Sequence, residues 1–506
     1  MEQMRRCGVE PDAISFNAAI SACGKCKQLE RALSLLEDMQ RRGVEPDAYS
    51  FNAAISACEK SGRWERALSL LEEMQQRGVE PDVYSFNSAI SACGKGKQLE
   101  RALALLEEMQ QSGVEPSVYS YNAAISACEK GGQWERALEL LKKMQQCGVE
   151  PDVYSFSAAI SACEKGGQWE RALSLLEEMQ QSGVEPNVIT FSAAISACEK
   201  GGQWERALEL LKEMQRRGFE PNVYSFSAAI SACGKGGQWE RALSLLEEMQ
   251  QRGIEPSAIS FNAGISACEK GEQWELALTL LKEMRRRGVE PDVYSYSAAI
   301  SACEKGGQWE RALELLEEMQ RRGVEPNVIS FNAAISACGK GGQWERALEL
   351  LREMQQRGYE LDVYSFSAAI SACEKGRQWE RALCLLEEMQ QSGVEPNVYS
   401  FNAAISACEK GGQLDRALEL LKKMHQCGIE PDEISFNAAI LACEKGGQWE
   451  RALELLEEMR RRDIEPGAIS YGAAISACEK GGQAERALSL LEEQQQSSLS
   501  AGFTLF

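Results

Sequence analysis

Apolar positions along the chain fall into two alternating stripes of helical period. In residues 153–187, Phe156, Ile160 and Cys163 stand at i, i+4 and i+7, one face of a helix. Gly166-Gly167 breaks that helix, and Trp169, Ala172, Leu173, Leu176 and Met179 form a second stripe. Ser155 has N-cap chemistry for the first helix; Gly183 stands where a glycine stops the second, and Pro186 prevents its continuation. The pattern returns every 35 residues without an insertion, in repeats beginning at 13, 48, 83, 118, 153, 188, 223, 258, 293, 328, 363, 398, 433 and 468. Neither helix of a pair can bury its stripe alone, whereas stacked neighbours bury it together. Ala158, Ala159 and Ala162 let first helices approach closely. Trp, present in ten repeats, is expected to fill the gap between the two layers, with Leu29, Leu99, Leu414 and Ala484 in its place in the other four.

The expected fold is therefore an all-α solenoid of tandem helix-turn-helix repeats. Residues 1–12 read as the end of a preceding repeat, 13–467 as thirteen full repeats, 468–493 as a truncated fourteenth and 494–506 as a Ser-containing tail. A repeat array is one quasi-one-dimensional object whatever its length, so 506 residues do not imply several globular domains. No run of 18 apolar residues exists, so no membrane partner is expected. Met1-Glu2-Gln3-Met4-Arg5-Arg6 starts partway through a helix without a signal or transit pattern, as an untargeted protein or an excerpt of a longer chain would.

Nineteen cysteines suggest a disulfide or zinc framework until their spacing is read. Fourteen recur once per repeat from Cys23 and Cys58 to Cys478, the mark of a small core residue; Cys7, Cys26, Cys147, Cys384 and Cys427 stand outside that series. Cys23 and Cys26 make a formal C-x-x-C, but no βαβ pattern surrounds it and no second pair completes a zinc site. Neither metal nor other cofactor is expected, and free thiols suit a reducing compartment.

The period of 35, with F/Y-N/S-A-A-I near the start, A-L-x-L-L-E-E-M in the second helix and G-V-E-P-D at the end, resembles the pentatricopeptide repeat family over residues 1 to about 495. The tetratricopeptide repeat, a protein-binding hairpin, is the nearest rival, but its period is 34 and its L-G-x2-Y signature is missing from Ser-Phe-Asn-Ala-Ala-Ile-Ser-Ala-Cys. The resemblance implies a right-handed superhelix whose first helices line a groove, and single-stranded RNA read one base per repeat. It also implies that the fifth and last residues of a repeat choose the base, that the second wedges between bases, and that a basic residue near the end of the first helix meets phosphate.

Comparing the repeats with each other supports that division of labour. Asn in fifth place goes with Asp in last place in Asn17/Asp47, Asn52/Asp82, Asn122/Asp152, Asn262/Asp292, Asn332/Asp362 and Asn402/Asp432. Ser goes with Asn in Ser157/Asn187, Ser192/Asn222, Ser297/Asn327 and Ser367/Asn397. Asn/Asn and Ser/Asp never occur; Asn87/Ser117, Ser227/Ser257, Asn437/Gly467 and the unmated Gly472 depart from both classes. Two plainer accounts compete: small polar residues at a helix start are often cap or turn chemistry, and duplicated repeats would carry a pair along. The exposed place in A-L-x-L is Ser or Glu in both classes (Ser69 and Glu139 against Ser174 and Glu209), so the pair is more than a lineage tag.

In second place stand Ile14, Tyr49, Tyr84, Tyr119, Tyr154, Ile189, Tyr224, Ile259, Tyr294, Ile329, Tyr364, Tyr399 and Ile434, with Ile469 in the last repeat. Tyrosine departs from the family's aliphatic and could stack on bases or pack between repeats. Lys25, Lys60, Lys95, Lys130, Lys165, Lys200, Lys235, Lys270, Lys305, Lys340, Lys375, Lys410, Lys445 and Lys480 end the first helices and form an expected phosphate track. The net charge of −21 speaks against a nucleic-acid partner until its placement is considered. Glu170, Glu177, Glu178 and Glu185 fall on the second helix or the following turn, whereas Glu164 beside Lys165 runs against a clean basic face. Catalysis has little support: the single histidine, His425, replaces a Gln on a second helix, and no phosphate-binding glycine loop, dinucleotide-binding motif or zinc-deaminase signature occurs.

The reading is a sequence-specific single-stranded RNA-binding protein without enzymatic activity or small-molecule substrate, with RNA-processing proteins as a further partner class. The resemblance implies a site near 5′-UUCUAA-N-UAUAU. The alternative is a protein-binding scaffold of the tetratricopeptide kind. Relatives work in mitochondria and plastids, while this sequence shows no targeting segment.

Overall fold

A computed structural model describes residues 10–503. Cys7, the first nine residues of the expected partial repeat and the last three of the tail lie outside the described residues. The described part holds 28 helices and no strand. Each repeat contributes two, as in Val153–Lys165 and Trp169–Gln181. The chain divides into two units, Met1–Pro256 and Ser257–Phe506, and each is a stack of such helical pairs.

Helix boundaries follow local chemistry. The first helix ends in a glycine of ordinary φ followed by one in the left-handed region, Gly167 at φ 69°; the second is stopped by another such residue, Gly183 at φ 75°. The start differs from the sequence expectation. Ser155 is not the N-cap but the third residue of the helix, and Asp152 is the cap. Asp152 accepts from the Tyr154 and Ser155 N–H groups at 2.9 and 3.0 Å, while Ser155 Oγ accepts from the Asp152 N–H at 3.1 Å. This reciprocal capping box satisfies donors that a helix start leaves orphaned, and makes the last residue of one repeat the first structural residue of the next. The final helix, Ala484–Phe503, continues beyond Glu493 into the expected tail.

The core runs along the axis of each stack. Phe156, Ala159, Ile160, Ala162 and Cys163 of the first helix are fully buried, as are Ala172 and Met179 of the second, with Leu175 and Leu176 close to it. Leu175 thus takes the core place expected of Leu173, which is only half-buried. The tryptophans do not simply fill space between layers. Trp169 lies against Gly201 of the following repeat, where an added Cβ would come within 2.9 Å of Trp169 Cβ and closer to the ring. An arginine of the following repeat can cover the ring as well: Arg101 stands 4.7 Å over Trp64 and Arg241 4.8 Å over Trp204.

Burial sets the chemistry of the core thiols. Cys58, Cys163 and Cys338 are pushed up to about 11 by desolvation, and no described cysteine is in a disulfide. Cys23 and Cys26 are free, and no group of potential metal ligands occurs among the described residues. No described helix is long and apolar enough to cross a membrane.

Candidate nucleic-acid interface

The first helix is buried on nearly every side, which leaves one narrow exposed face. Tyr154, Ala158, Ser161 and Lys165 lie on it at i, i+4, i+7 and i+11. The second-place side chains make up most of the exposed large apolar groups, from 59 % exposed at Ile434 to 77 % at Tyr49 and Ile14. Packing between repeats, one of the two roles open to these tyrosines, is therefore not what they do. Water-exposed aromatic rings in a regular row are costly to maintain without a partner.

Beside this row, the fifth and last residues meet. In all six Asn/Asp repeats the Asn Nδ2 donates to the Asp carboxylate across 30 residues, at 2.9–3.3 Å. A third residue orients the amide in most of them. Ser50, Ser85, Ser155, Ser295 and Ser435 of the next repeat donate from Oγ to Oδ1 of Asn17, Asn52, Asn122, Asn262 and Asn402 at 2.5–2.6 Å. Ser470 does the same for Asn437 at 2.6 Å, although Gly467 offers it no carboxylate. Asn332 Oδ1 is the exception, buried with no partner among the described residues.

The last-place aspartates carry a structural role that their sequence position hid. Asp47, Asp82, Asp152, Asp292, Asp362 and Asp432 are each the N-cap of the helix that opens the next repeat. Through Oδ1 they accept from the N–H groups of Ser50, Ser85, Ser155, Ser295, Ser365 and Ser435 respectively, at 2.8–3.0 Å. Asp82 and Asp292 also accept from the Tyr84 and Tyr294 N–H groups, at 2.9 and 3.0 Å. These six residues, expected to help choose the base, thus also cap a helix. A helix start leaves its first N–H groups unsatisfied, and the carboxylate beside them meets that need. Asp82, Asp152, Asp292, Asp362 and Asp432 are half-buried in this position, whereas Asp47 stays exposed. Burial works to raise the Asp47 carboxyl, but hydrogen bonds from the Ser50 N–H, Ser50 Oγ and Asn17 outweigh it and hold the group below the usual carboxylate range.

The Ser/Asn repeats are arranged differently. Ser192 and Ser297 donate to the carbonyls of Val188 and Val293 at 2.7 Å, and Ser157 shares a 2.8 Å hydrogen bond with Thr190. Asn187, Asn222, Asn327 and Asn397 cap the next helix through Oδ1, which turns Nδ2 away from that helix. Ser157, Ser227, Ser297, Asn402 and Asn437 are less than a tenth exposed, so the fifth place forms the floor of the site and the last place its more accessible edge. In two of the departing repeats, Asn87 donates to Ser117 Oγ at 3.4 Å, and Ser227 bonds to the Val223 carbonyl.

The lysine row is less uniform than its sequence suggests. Nine lysines pair with a glutamate 36 residues earlier, at 2.5–2.9 Å: Lys95, Lys165, Lys200, Lys235, Lys305, Lys340, Lys410, Lys445 and Lys480, with Glu59, Glu129, Glu164, Glu199, Glu269, Glu304, Glu374, Glu409 and Glu444 respectively. Glu164, the residue that spoiled a clean basic face, is one of these partners. A serine often holds the same carboxylate, as Ser196 holds Glu164 at 3.1 Å and Ser476 holds Glu444 at 2.7 Å. Burial pushes Glu444 up, yet Lys480 and Ser476 together leave it below its ordinary value. No sequence argument made within one repeat could find these bonds, because they cross to the next.

The acid on the second helices behaves as expected: Glu170, Glu177 and Glu185 are exposed. His425 is exposed too, 3.9 Å from Glu430.

Comparison with known proteins agrees with this architecture. A family model described as the pentacotripeptide-repeat region of PRORP matches residues 2–181 and 329–500. A pentatricopeptide repeat domain model matches 209–270 and 279–341, and a PPR repeat model matches 189–219 and 259–289. No curated protein matches the chain. Among solved structures, the pentatricopeptide repeat protein PPR10 from maize is 22% identical, with a TM-score of 0.60, over 100% of this chain and 82% of that one. The same protein in complex with an 18-nt psaJ RNA element is 21% identical, with a TM-score of 0.56, over 97% of this chain and 85% of that one. These likenesses show an all-helical repeat fold of the same kind, and the matched models span most of the sequence: the chain belongs to the pentatricopeptide repeat family.

Proposed function

We propose that this protein binds single-stranded RNA in a sequence-dependent way, one base per repeat, and acts by occupying its site rather than by catalysis. The observation that carries the reading is the junction between repeats. An exposed Tyr or Ile stands beside a two-residue polar pair held by hydrogen bonds in every Asn/Asp repeat. That is a stacking surface next to an oriented donor–acceptor edge, the combination that unstacked bases require. The structure of maize PPR10 with its RNA element supports an RNA partner for this fold.

The family resemblance implies a base for each pair class, and the donor and acceptor inventory is compatible with it. In an Asn/Asp pair, one carboxylate oxygen is taken up by the cap and the other stays an acceptor, suited to the N3–H of uracil. In a Ser/Asn pair, the cap uses Oδ1 and leaves the Nδ2 donor, suited to N1 of adenine. Asn87/Ser117 offers a hydroxyl that can donate to N3 of cytosine. In chain order, with the N-terminus at the RNA 5′ end, these preferences give 5′-UUCUAA-N-UAUAU, the N falling at Ser227/Ser257.

Selection from a randomised RNA pool tests this directly. The expected result is a U- and A-rich site with C at its third nucleotide. Recovery of G-rich sequences would overturn the code. A pool that yields no binder, with capture of a basic peptide instead, would favour the protein-binding scaffold, the reading that the charge of −21 recommends.

A further inference from the structure

The lysine row carries a rule that one repeat cannot show. The residue before each Lys is Glu in some repeats and Gly in others: Gly24, Gly94, Gly234 and Gly339 interrupt the series Glu59, Glu129, Glu164 and onward. Every lysine that follows a Glu-bearing repeat is ion-paired to that Glu, as described above. Lys60, Lys130 and Lys375 follow Gly24, Gly94 and Gly339, and none of the three makes an ion pair among the described residues. The glycines also draw the helices together. A Cβ on Gly24, Gly94 or Gly339 would lie 3.0–3.1 Å from Cβ of Ala57, Ala127 or Ala372 in the next repeat.

A lysine with a glutamate within 3 Å presents no net positive charge to a polyanion, because the carboxylate repels phosphate as the ammonium attracts it. An unpaired lysine on the same face presents a full charge beside the exposed second-place row. We infer that RNA phosphates are gripped at Lys60, Lys130 and Lys375, the lysines whose preceding repeat carries Gly in place of the pairing Glu, and that the glutamate-paired lysines between them are struts joining neighbouring repeats. The backbone grip is punctuated rather than continuous, and the choice of Gly or Glu 36 residues before the lysine, in the preceding repeat, sets its positions. This inference rests on the RNA-binding reading and adds where the backbone is held.

The experiment measures the salt dependence of binding to the RNA 5′-UUCUAAUUAUAU by the full chain. Each phosphate contact on a single strand contributes a slope of about 0.7 in log K against log salt. Lys60→Gln, Lys130→Gln and Lys375→Gln together should flatten the slope by about 2, three contacts at that value. Removing three pairs whole, Glu129→Gln/Lys165→Gln, Glu304→Gln/Lys340→Gln and Glu374→Gln/Lys410→Gln, should leave the slope of the parent. Releasing three lysines by Glu129→Gln, Glu164→Gln and Glu199→Gln should steepen it by about 2. The same charge change on the outer layer, Glu177→Gln, Glu247→Gln and Glu317→Gln, should not. Melting by circular dichroism checks that each chain is folded. If deleting whole pairs flattens the slope as much as the first set, all lysines touch phosphate and the inference fails while RNA binding stands. If the parent holds no RNA at 50 mM salt, the RNA-binding reading fails and the inference falls with it.

Discussion

Replacing Gly201 by alanine should destabilise the protein, and only while Trp169 is present. The backbone at Gly201 has φ −78° and ψ 0°, a conformation any L residue adopts. By chain entropy alone alanine would stabilise, by about 0.4–1 kcal/mol. The obstacle is the indole: the new Cβ would sit 2.9 Å from Trp169 Cβ, and closer to Cγ and Cδ1. Because the Trp Cβ itself is too near, rotating the ring cannot relieve the clash, and the repeats must separate or the ring must leave. Overpacking of this kind costs about 1–3 kcal/mol, so the net loss should be about 1–2 kcal/mol. In a Trp169→Leu background the same change should be nearly neutral. Leu29 already precedes Ser61, the residue in Gly201's place one repeat after it, so the fold accepts a Cβ there when no indole lies against it. The coupling energy between the two sites should therefore reach about 1 kcal/mol or more. Gly202 is the control. Its φ is 69° and nothing lies within 4 Å of an added Cβ, so alanine there should cost the same with or without Trp169. A long repeat array need not unfold in one step, so protection from hydrogen exchange in the helix Val188–Lys200 is the better readout. Gly201→Ala raising protection equally in both backgrounds would refute the contact.

Ser157→Asn with Asn187→Asp should move one base of the preferred RNA, at its fifth nucleotide, from A to U. It should cost about 1–3 kcal/mol against the original RNA, most of it restored by the compensating base in a binding titration. Asp152→Ala removes the acceptor for the Tyr154 and Ser155 N–H groups and for Asn122, and should lower local stability by about 1–2 kcal/mol, read as faster exchange in Val153–Lys165. The core thiols predict alkaline sensitivity. Their protonated form is favoured in the fold, with values near 11 against an ordinary 9.0, so their contribution is whole below pH 9. It is lost as pH rises towards 11, at about 1 kcal/mol per thiol per pH unit. Urea midpoints from pH 8 to 11 should fall, and fall less when Cys163, Cys198 and Cys233 are replaced by alanine.

The two helices per repeat were legible because glycine, proline and apolar spacing act locally: Gly167 and Gly183 stop helices where their sequence positions say they should. The cap was misread by one turn because a capping box has two polar residues three apart, and Ser155 and Asp152 each offer cap chemistry. Asp82, Asp292, Asp362 and Asp432 repeat the same ambiguity with Ser85, Ser295, Ser365 and Ser435, and in each the aspartate is the cap. The contacts that build the candidate site run from one repeat to the next, at separations of 30, 33 and 36 residues, as in Asn122 with Asp152, Asn122 with Ser155, and Glu129 with Lys165. Reading one repeat at a time hides them. The signals were nonetheless present: Ser61 follows a repeat with Leu rather than Trp, and Gly or Glu alternates before the lysines.

Those contacts divide the pattern of fifth and last residues into a part that folding explains and a part that it does not. Asn/Asn never occurs, and the bonds of the Asn/Asp repeats disfavour it, because the next repeat's serine holds the fifth-place Oδ1 and leaves Nδ2 facing the last residue. A last-place Asn spends Oδ1 on the cap, as Asn187 does with the Thr190 N–H, so its remaining Nδ2 would face a fifth-place Nδ2, donor against donor. Ser/Asp also never occurs, yet nothing in the structure opposes it. A fifth-place serine satisfies itself on a backbone carbonyl, as Ser192 does on Val188, and Asp caps a helix as well as Asn. Asn222→Asp, which creates Ser/Asp in the repeat 188–222, should therefore leave stability within about 0.5 kcal/mol of the parent, the usual range for a substitution that breaks no packing or bonding. Binding should change all the same, because the edge offered beside Ile189 turns from donor to acceptor. A marked loss of stability would mean that folding alone explains why the residues vary together. A stable variant with weakened RNA binding would leave base reading as the reason the chain avoids this pair.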